Sequence, residues 1–141
     1  MLLNVSYNNP EIRKKIDAEV GKPIPFIERI KQGGIGIGHL IITASSIEIQ
    51  NLLALDKYRN KCNIELRPNG IIVGFRSLLE SYALVIPYWK LTIYKGKSEE
   101  YSIYKDTYCI KIEAKKKNVH QFIKRILTEK EKQAPLSIED L

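Results

Sequence analysis

The chain has 141 residues, of which 44% are hydrophobic and 28% are charged, and its formal net charge is +7. This length is enough for one domain with its own core, and the composition is that of an ordinary globular protein. The sequence shows no charged and apolar leader with a cleavage site and no apolar run long enough to span a bilayer, so we expect a cytoplasmic protein.

The first predicted element is a helix that begins after Asn9. Asn9 is a good capping residue, Pro10 suits the first helical position, and Gly21 suits the position after the last turn. One narrow apolar stripe predicts that the helix lies on a surface: Ile12, Ile16 and Val20. The next segment, residues 26–30, is compatible with either a short strand or a helical turn.

Glycine is frequent between Gly33 and Gly38, but the spacing fits neither a dinucleotide fingerprint nor a P-loop. We expect a flexible entry into a strand at residues 39–43, with glycines that permit a bend or close backbone approach. An alternative is a mobile, partly apolar loop that contacts a ligand or a membrane surface. After a turn at residues 44–46, Ile47 and Ile49 are expected to begin another strand.

Residues 62–114 alternate between apolar and polar side chains and predict a series of antiparallel strands. The clearest local signal is Arg67-Pro68-Asn69-Gly70, which predicts a hairpin with Gly70 at a positive φ. The segment Ser77 to Ile86 is ambiguous, because it combines a capping-box pattern with Tyr, Val and Ile at its end. A turn followed by a strand is favoured over a helix.

The last strands are predicted at residues 91–94, 100–105 and 108–114, the final two on either side of Asp106-Thr107. After them, Asn118 and Gln121 form a capping-box variant that predicts a helix to about Lys130. This helix has an apolar face that should pack on the sheet: Val119, Phe122, Ile123, Ile126 and Leu127. Residues 133–141 show no periodicity and are expected to form a loosely held tail.

Three short motifs carry a family resemblance: G-H-L-I-I-T at residues 38–43, I-E-I at 47–49 and V-I-P-Y-W-K-L at 85–91. With the closing strands and the C-terminal helix, they resemble the bacterial pleckstrin-homology-like (PH-like) domains. The resemblance spans about residues 38 to 130 and implies a bent seven-stranded antiparallel barrel with a helix plugging one end. It implies no catalytic residues, because this family has no fixed catalytic set.

The predicted fold is therefore α+β and mainly β, a PH-like bent antiparallel barrel or sheet of about seven strands. A C-terminal amphipathic helix and an extra N-terminal helix complete it. We divide the chain into residues 1–36 (N-terminal helix and glycine-rich segment), residues 37–132 (barrel and C-terminal helix) and residues 133–141 (tail).

Five lysines form the candidate binding site, here called the lysine cluster: Lys95, Lys97, Lys115, Lys116 and Lys117. A positive patch attracts phosphates of lipid headgroups or nucleic acids, and the positive end of the helix dipole lies beside the last three. The plain alternative is a solvated loop. Tyr94, Tyr101 and Tyr104 lie among these lysines and could stack bases, although tyrosine is also an ordinary strand residue.

Nothing in the sequence predicts catalysis, a metal or a cofactor. His39 and His120 are isolated, the carboxylates are scattered, and Trp89 is expected to anchor the core or its rim. Cys62 and Cys109 lack metal or redox spacing and are expected to be free thiols. We therefore expect a non-catalytic binding or scaffolding module with a protein partner, and the alternatives are an anionic lipid surface and nucleic acid.

Overall fold

The computed structural model describes residues 1–31, 33–55, 60–96 and 99–133. These residues form four helices and eight strands, in the order β1 (Leu2–Asn4), α1 (Pro10–Val20), α2 (Phe26–Lys31), β2 (Gly36–Ser45), α3 (Ile47–Ala54), β3 (Lys61–Arg67), β4 (Gly70–Ser77), β5 (Glu80–Pro87), β6 (Thr92–Lys95), β7 (Glu100–Lys105), β8 (Tyr108–Glu113) and α4 (Lys117–Lys132). The fold is α+β and mainly antiparallel sheet, as predicted. The predicted tail beyond Gln133 lies outside the described residues.

The described strands form one antiparallel sheet in the order β1-β5-β4-β3-β2-β8-β7-β6. β2 joins the two halves of this sheet, one formed by β1 and β3 to β5 and the other by β6 to β8. Residues Gly36 to Ile41 of β2 pair with β3, and residues Ile42 to Ser45 pair with β8. Within this part of the chain β1 and β6 each pair on one side only, so the sheet is open. β2 to β8 lie where the sequence predicts strands, whereas β1 was not predicted.

The main core lies between the two halves of the sheet, α3 and α4. β3 and β4 contribute the alternate side chains that the sequence predicts, including Ile64 and Val73, which are 1% and 0% exposed. From α4 come Val119, Phe122, Ile123 and Ile126. Burial of this face is the main source of helix stability, because helical propensity alone contributes little.

A smaller outer cluster lies on the opposite face of β5. Ile16 and Val20 of α1 cover Ala83 and Val85, while Leu84 and Ile86 point into the main core. The strand is thus buried on both faces, which explains why its sequence is apolar without alternation and resembles a helix. The structure confirms the favoured prediction of a turn followed by a strand.

The hairpin between β3 and β4 is confirmed, with Arg67 opposite Gly70 and Pro68-Asn69 in the turn. The expectation of a positive φ at Gly70 is wrong, because Gly70 is not among the residues with positive φ. A Cβ there would instead overlap the carbonyl oxygen of Ile86 and lie 2.6 Å from Val20 Cγ1. Glycine is required at this position for space.

The strand expected at Ile47 is wrong, because these residues form α3. Ile49 and Leu53, one turn apart, enter the main core, while Ile47 is 62% exposed. Ser46 takes the extended backbone conformation of a residue that precedes a helix. Helical spacing buries two large side chains here, whereas a strand would have paired Ile47 with Ile49 on one face.

Two further expectations near the C-terminal half are corrected. α4 begins at Lys117 after an extended Lys116, whose carbonyl oxygen accepts from Val119 N, so Asn118 is inside the first turn and does not cap it. Trp89 does not anchor the core, because it is 75% exposed. In the 3-10 turn Tyr88–Lys90 the buried residue is Tyr88, whose hydroxyl donates to Arg67 O at 3.2 Å.

Truncation of Phe122 tests whether α4 closes the core. Because Phe122 is 5% exposed, Phe122→Ala should lower the free energy of unfolding by ~3–5 kcal/mol. Urea unfolding of this variant and of Leu127→Ala, whose side chain in the same helix is 40% exposed, measures the difference. A loss below ~1 kcal/mol for Phe122→Ala, the range of surface substitutions, would contradict the packing.

Gly70 provides a second test, on the hairpin. Gly70→Ala should destabilise by ~1–3 kcal/mol or more, because its Cβ has no space between β5 and α1. Asn69→Ala changes an exposed side chain in the same turn and is the matched control, with an effect within ~0.5 kcal/mol. Equal small effects in thermal and urea unfolding would show that the close approach is absent.

Candidate anion-binding surfaces

The lysine cluster lies at one end of the sheet. Lys95 is the last residue of β6, Lys115 and Lys116 follow β8, and Lys117 begins α4. Because β6, β7 and β8 are neighbours, Lys95 and Lys115 share an end of the sheet and are two strands apart. Lys97 lies outside the described residues.

Carboxylates lie beside Lys115 of the lysine cluster. Lys115 Nζ lies 3.5 Å from Glu113 Oε1, and Lys115 shares a surface depression of about 400 Å³ with Glu99, Glu100 and Glu113. Glu100 Oε2 also accepts from Thr43 Oγ1 at 3.0 Å. An anion that approached Lys115 would be repelled by three negative charges, so the geometry weakens the case for anion binding at this edge.

The tyrosines near these lysines do not form a row of stacking surfaces. Tyr94 and Tyr104 pack against each other edge to face, with ring centroids 5.6 Å apart. Tyr101 points the other way, is 8% exposed and contacts His120 with its hydroxyl 2.7 Å from Nδ1. One exposed tyrosine, Tyr94, remains available to a base, which is less than single-stranded nucleic acid binding usually uses.

A different surface carries positive charge, and the described residues that line it include no carboxylate. β2 shifts register between Ile37 and Leu40, where Gly38 and His39 lie opposite the single residue Asn63 of β3. His39 takes a φ of 55° in this bulge. Bulges of this kind redirect side chains and are frequent beside functional sites.

An open groove of about 510 Å³ runs from this bulge across the outer face of β3 and β4. We call it the bulge groove. Its polar walls are His39, Lys61, Asn63 and Arg76, and Gly38 and Gly74 form part of its floor. A Cβ at Gly74 would lie 2.6 Å from Asn63 Oδ1, so a larger residue there would require the Asn63 side chain to move.

The chemistry of the bulge groove suits an anion. Lys61 and Arg76 carry positive charge, and the Asn63 amide and the His39 ring can donate hydrogen bonds. None of the described residues lining the groove carries a carboxylate. Arginine binds carboxylate and phosphate groups in a bidentate manner, so Arg76 is the side chain best suited to fix the orientation of such a group.

The sequence contained part of this signal. Alternation places Asn63, Gly74 and Arg76 on the polar face of their strands, and the structure confirms that placement. The sequence pattern did not identify these residues as a site, because they are ordinary solvent-facing positions when each strand is considered alone. The bulge that brings His39 beside them depends on the pairing between β2 and β3.

Other titratable groups of the described residues include a buried lysine and two cysteines. Lys105 is 4% exposed, and its Nζ donates to Val85 O at 2.9 Å. Cys62 and Cys109 are free thiols, as predicted. Among the described residues, no group of three His, Cys, Asp or Glu side chains is arranged to hold a metal ion. In the same part of the chain, no helix has the length and apolar character needed to cross a membrane.

Comparison of the chain with protein-family models, curated proteins and solved structures gave no significant match. The resemblance to PH-like domains therefore stays a prediction, and function must be argued from the surfaces above.

The reactivity of the two cysteines tests whether the strand face below the bulge groove is closed to solvent. Burial raises the pKa of Cys62 from 9.0 to about 12, and the residue is 4% exposed. Cys62 should resist alkylation by iodoacetamide at pH 8 to 9.5, because the nucleophilic thiolate is scarce below the raised pKa.

Cys109 is partly exposed and should be alkylated in the native protein. Peptide mass spectrometry before and after unfolding in urea distinguishes the two thiols, and both should react once the chain is unfolded. Alkylation of native Cys62 at the rate of Cys109 would show that the groove opens into the core.

Proposed function

We propose that the chain is a non-catalytic binding module of PH-like type, whose bulge groove binds a phosphate or carboxylate group of its partner. The strand order supports the PH-like part of the proposal. β2 is shared between β3 to β5 on one side and β6 to β8 on the other, and α4 packs its apolar face into the core between them. A sheet shared about β2 and covered by a C-terminal helix is in keeping with the resemblance, whereas the eighth strand, β1, and the open described sheet depart from the seven-stranded barrel that it implies.

One observation carries the binding proposal: two cationic side chains, an amide and an imidazole border one groove whose described lining has no carboxylate. The lysine cluster has more positive charges, but its Lys115 shares a depression with three glutamates. Local charge balance therefore favours the bulge groove as the anion site, although the lysines are more conspicuous in the sequence.

The source of the anionic group defines the alternatives. A phosphorylated or acidic segment of a protein partner would agree with the expected protein interaction, and a lipid headgroup would supply the same chemistry from a membrane. Nucleic acid has less support, because Tyr94 and Tyr104 pack against each other and Tyr101 points inwards. A cytoplasmic location stays a prediction.

Titration with inorganic phosphate at low salt, followed by amide chemical shifts of ¹⁵N-labelled protein, tests the groove. We expect shifts to concentrate at Gly38, Asn63 and Gly74. Lys61→Gln combined with Arg76→Gln should weaken phosphate binding at least roughly tenfold, because charge-assisted hydrogen bonds are worth about 1.5–3 kcal/mol each.

The control replaces Lys115, Lys116 and Lys117 with Gln and removes more charge from the other surface. It should bind phosphate nearly as well as the wild type, and both variants should keep their stability within ~1 kcal/mol. If the triple variant loses phosphate binding while the groove variant retains it, the lysine cluster is the anion site. An acidic peptide, a phosphopeptide and headgroup-bearing vesicles then distinguish the sources.

A further inference from the structure

α2 is oriented with its apolar side away from the protein. Phe26, Ile27 and Ile30 are 72%, 69% and 65% exposed, and none of the residues of α2 is buried. The partly buried side chain of the helix is Arg29, whose Nε donates to Ile24 O at 2.7 Å. A surface helix of a globular protein normally shows the reverse arrangement.

Contacts on both sides of α2 hold it in this orientation. Ile24, before the helix, is 7% exposed in the main core, and Ile35, after it, packs against the same core. Gly33 and Gly34 have φ values of 75° and 98° and turn the chain towards β2. Arg125 of α4 donates to Gly34 O at 2.8 Å. The exposed apolar face is therefore held by specific contacts that bury other residues.

The charges around this face are mainly positive. Lys22 and Lys31 are exposed on either side of the apolar residues. The one carboxylate of the helix, Glu28, is exposed and lines a crevice that also holds Arg67 and Glu129. With the formal net charge of +7 of the whole chain, these lysines make an anionic surface the complementary partner.

The size of the face favours a membrane over another protein. Three side chains expose a few hundred Å², whereas a stable protein interface buries about 800 Å² on each partner. A bilayer interface needs no shape complementarity and accepts a few protruding apolar side chains with lysines at the headgroup level.

We propose that α2 is a membrane-contact element. Phe26, Ile27 and Ile30 enter the interfacial region of an anionic bilayer, and Lys22 and Lys31 bind the phosphates of its headgroups. This proposal goes beyond the bulge groove, because it concerns a different surface formed by residues outside the predicted barrel.

Co-sedimentation of the full chain with vesicles tests the proposal. The wild type should bind vesicles of phosphatidylglycerol mixed with phosphatidylcholine at low salt and bind pure phosphatidylcholine weakly. Phe26→Ser combined with Ile30→Ser should lower the partition coefficient at least roughly tenfold, because two large apolar side chains no longer leave water. Lys22→Gln combined with Lys31→Gln should weaken binding and flatten its salt dependence.

The matched control is Leu78→Ser combined with Leu79→Ser in the turn between β4 and β5, where the leucines are 53% and 86% exposed. It removes two exposed apolar side chains elsewhere and should leave vesicle binding unchanged. Thermal unfolding should be similar for all variants.

Three results would overturn the proposal: no binding by the wild type, equal binding by the α2 variant, or an equal loss in the leucine control. A concentration-dependent dimer that Phe26→Ser abolishes, without vesicle binding, would identify the face as an interface between copies. The phosphate titration of the groove should be unchanged in the α2 variants, so either proposal can fail alone.

Discussion

The hydrogen bonding of one strand to two different partners is the constraint on which the fold depends. β2 gives its first six residues to β3 and its last four to β8, so it must bend between two halves of a sheet. Leu40 and Ile42, one on each side of this change of partner, are both nearly buried in the same core. Without the bend, the two halves would be a flat sheet with no enclosed interior for α4 to cover.

The same strand connects the fold with the candidate site. An extra residue in β2 leaves Gly38 and His39 opposite Asn63, and on the outer face this irregularity forms one wall of the bulge groove. The inner face of the neighbouring strands supplies core residues such as Ile64 and Val73. Packing on one face and polar side chains on the other are therefore set by one pairing register.

Sequence patterns predicted the elements whose burial is one-sided. Alternation located β3, β4 and β8 because each has one face in the core, and the cap and terminal glycine located α1. Alternation of Ile47 and Ile49 with polar residues predicts the start of a strand, but Ile49 and Leu53 enter the core from a helix. β1, with three residues, is too short for periodicity to show.

The candidate sites were harder to predict than the fold, since they depend on contacts between distant segments. The lysines at 115–117 are adjacent in sequence and conspicuous, but the glutamates beside them come from β7 and β8. The groove residues belong to three strands and become neighbours through register alone. The sequence of residues 26–30 is compatible with a short strand or a helical turn. It does not indicate that the apolar side of this segment faces outwards.

The position of β1 and α1 has a consequence for the apolar strand β5. Residues Ala83 to Pro87 of β5 are all buried, and β1 pairs with this strand along its outer edge, while α1 covers one of its faces. A long apolar strand with an unpaired edge is a template for pairing with other chains. The first twenty residues therefore cover the outer edge and one face of this apolar strand in the folded chain.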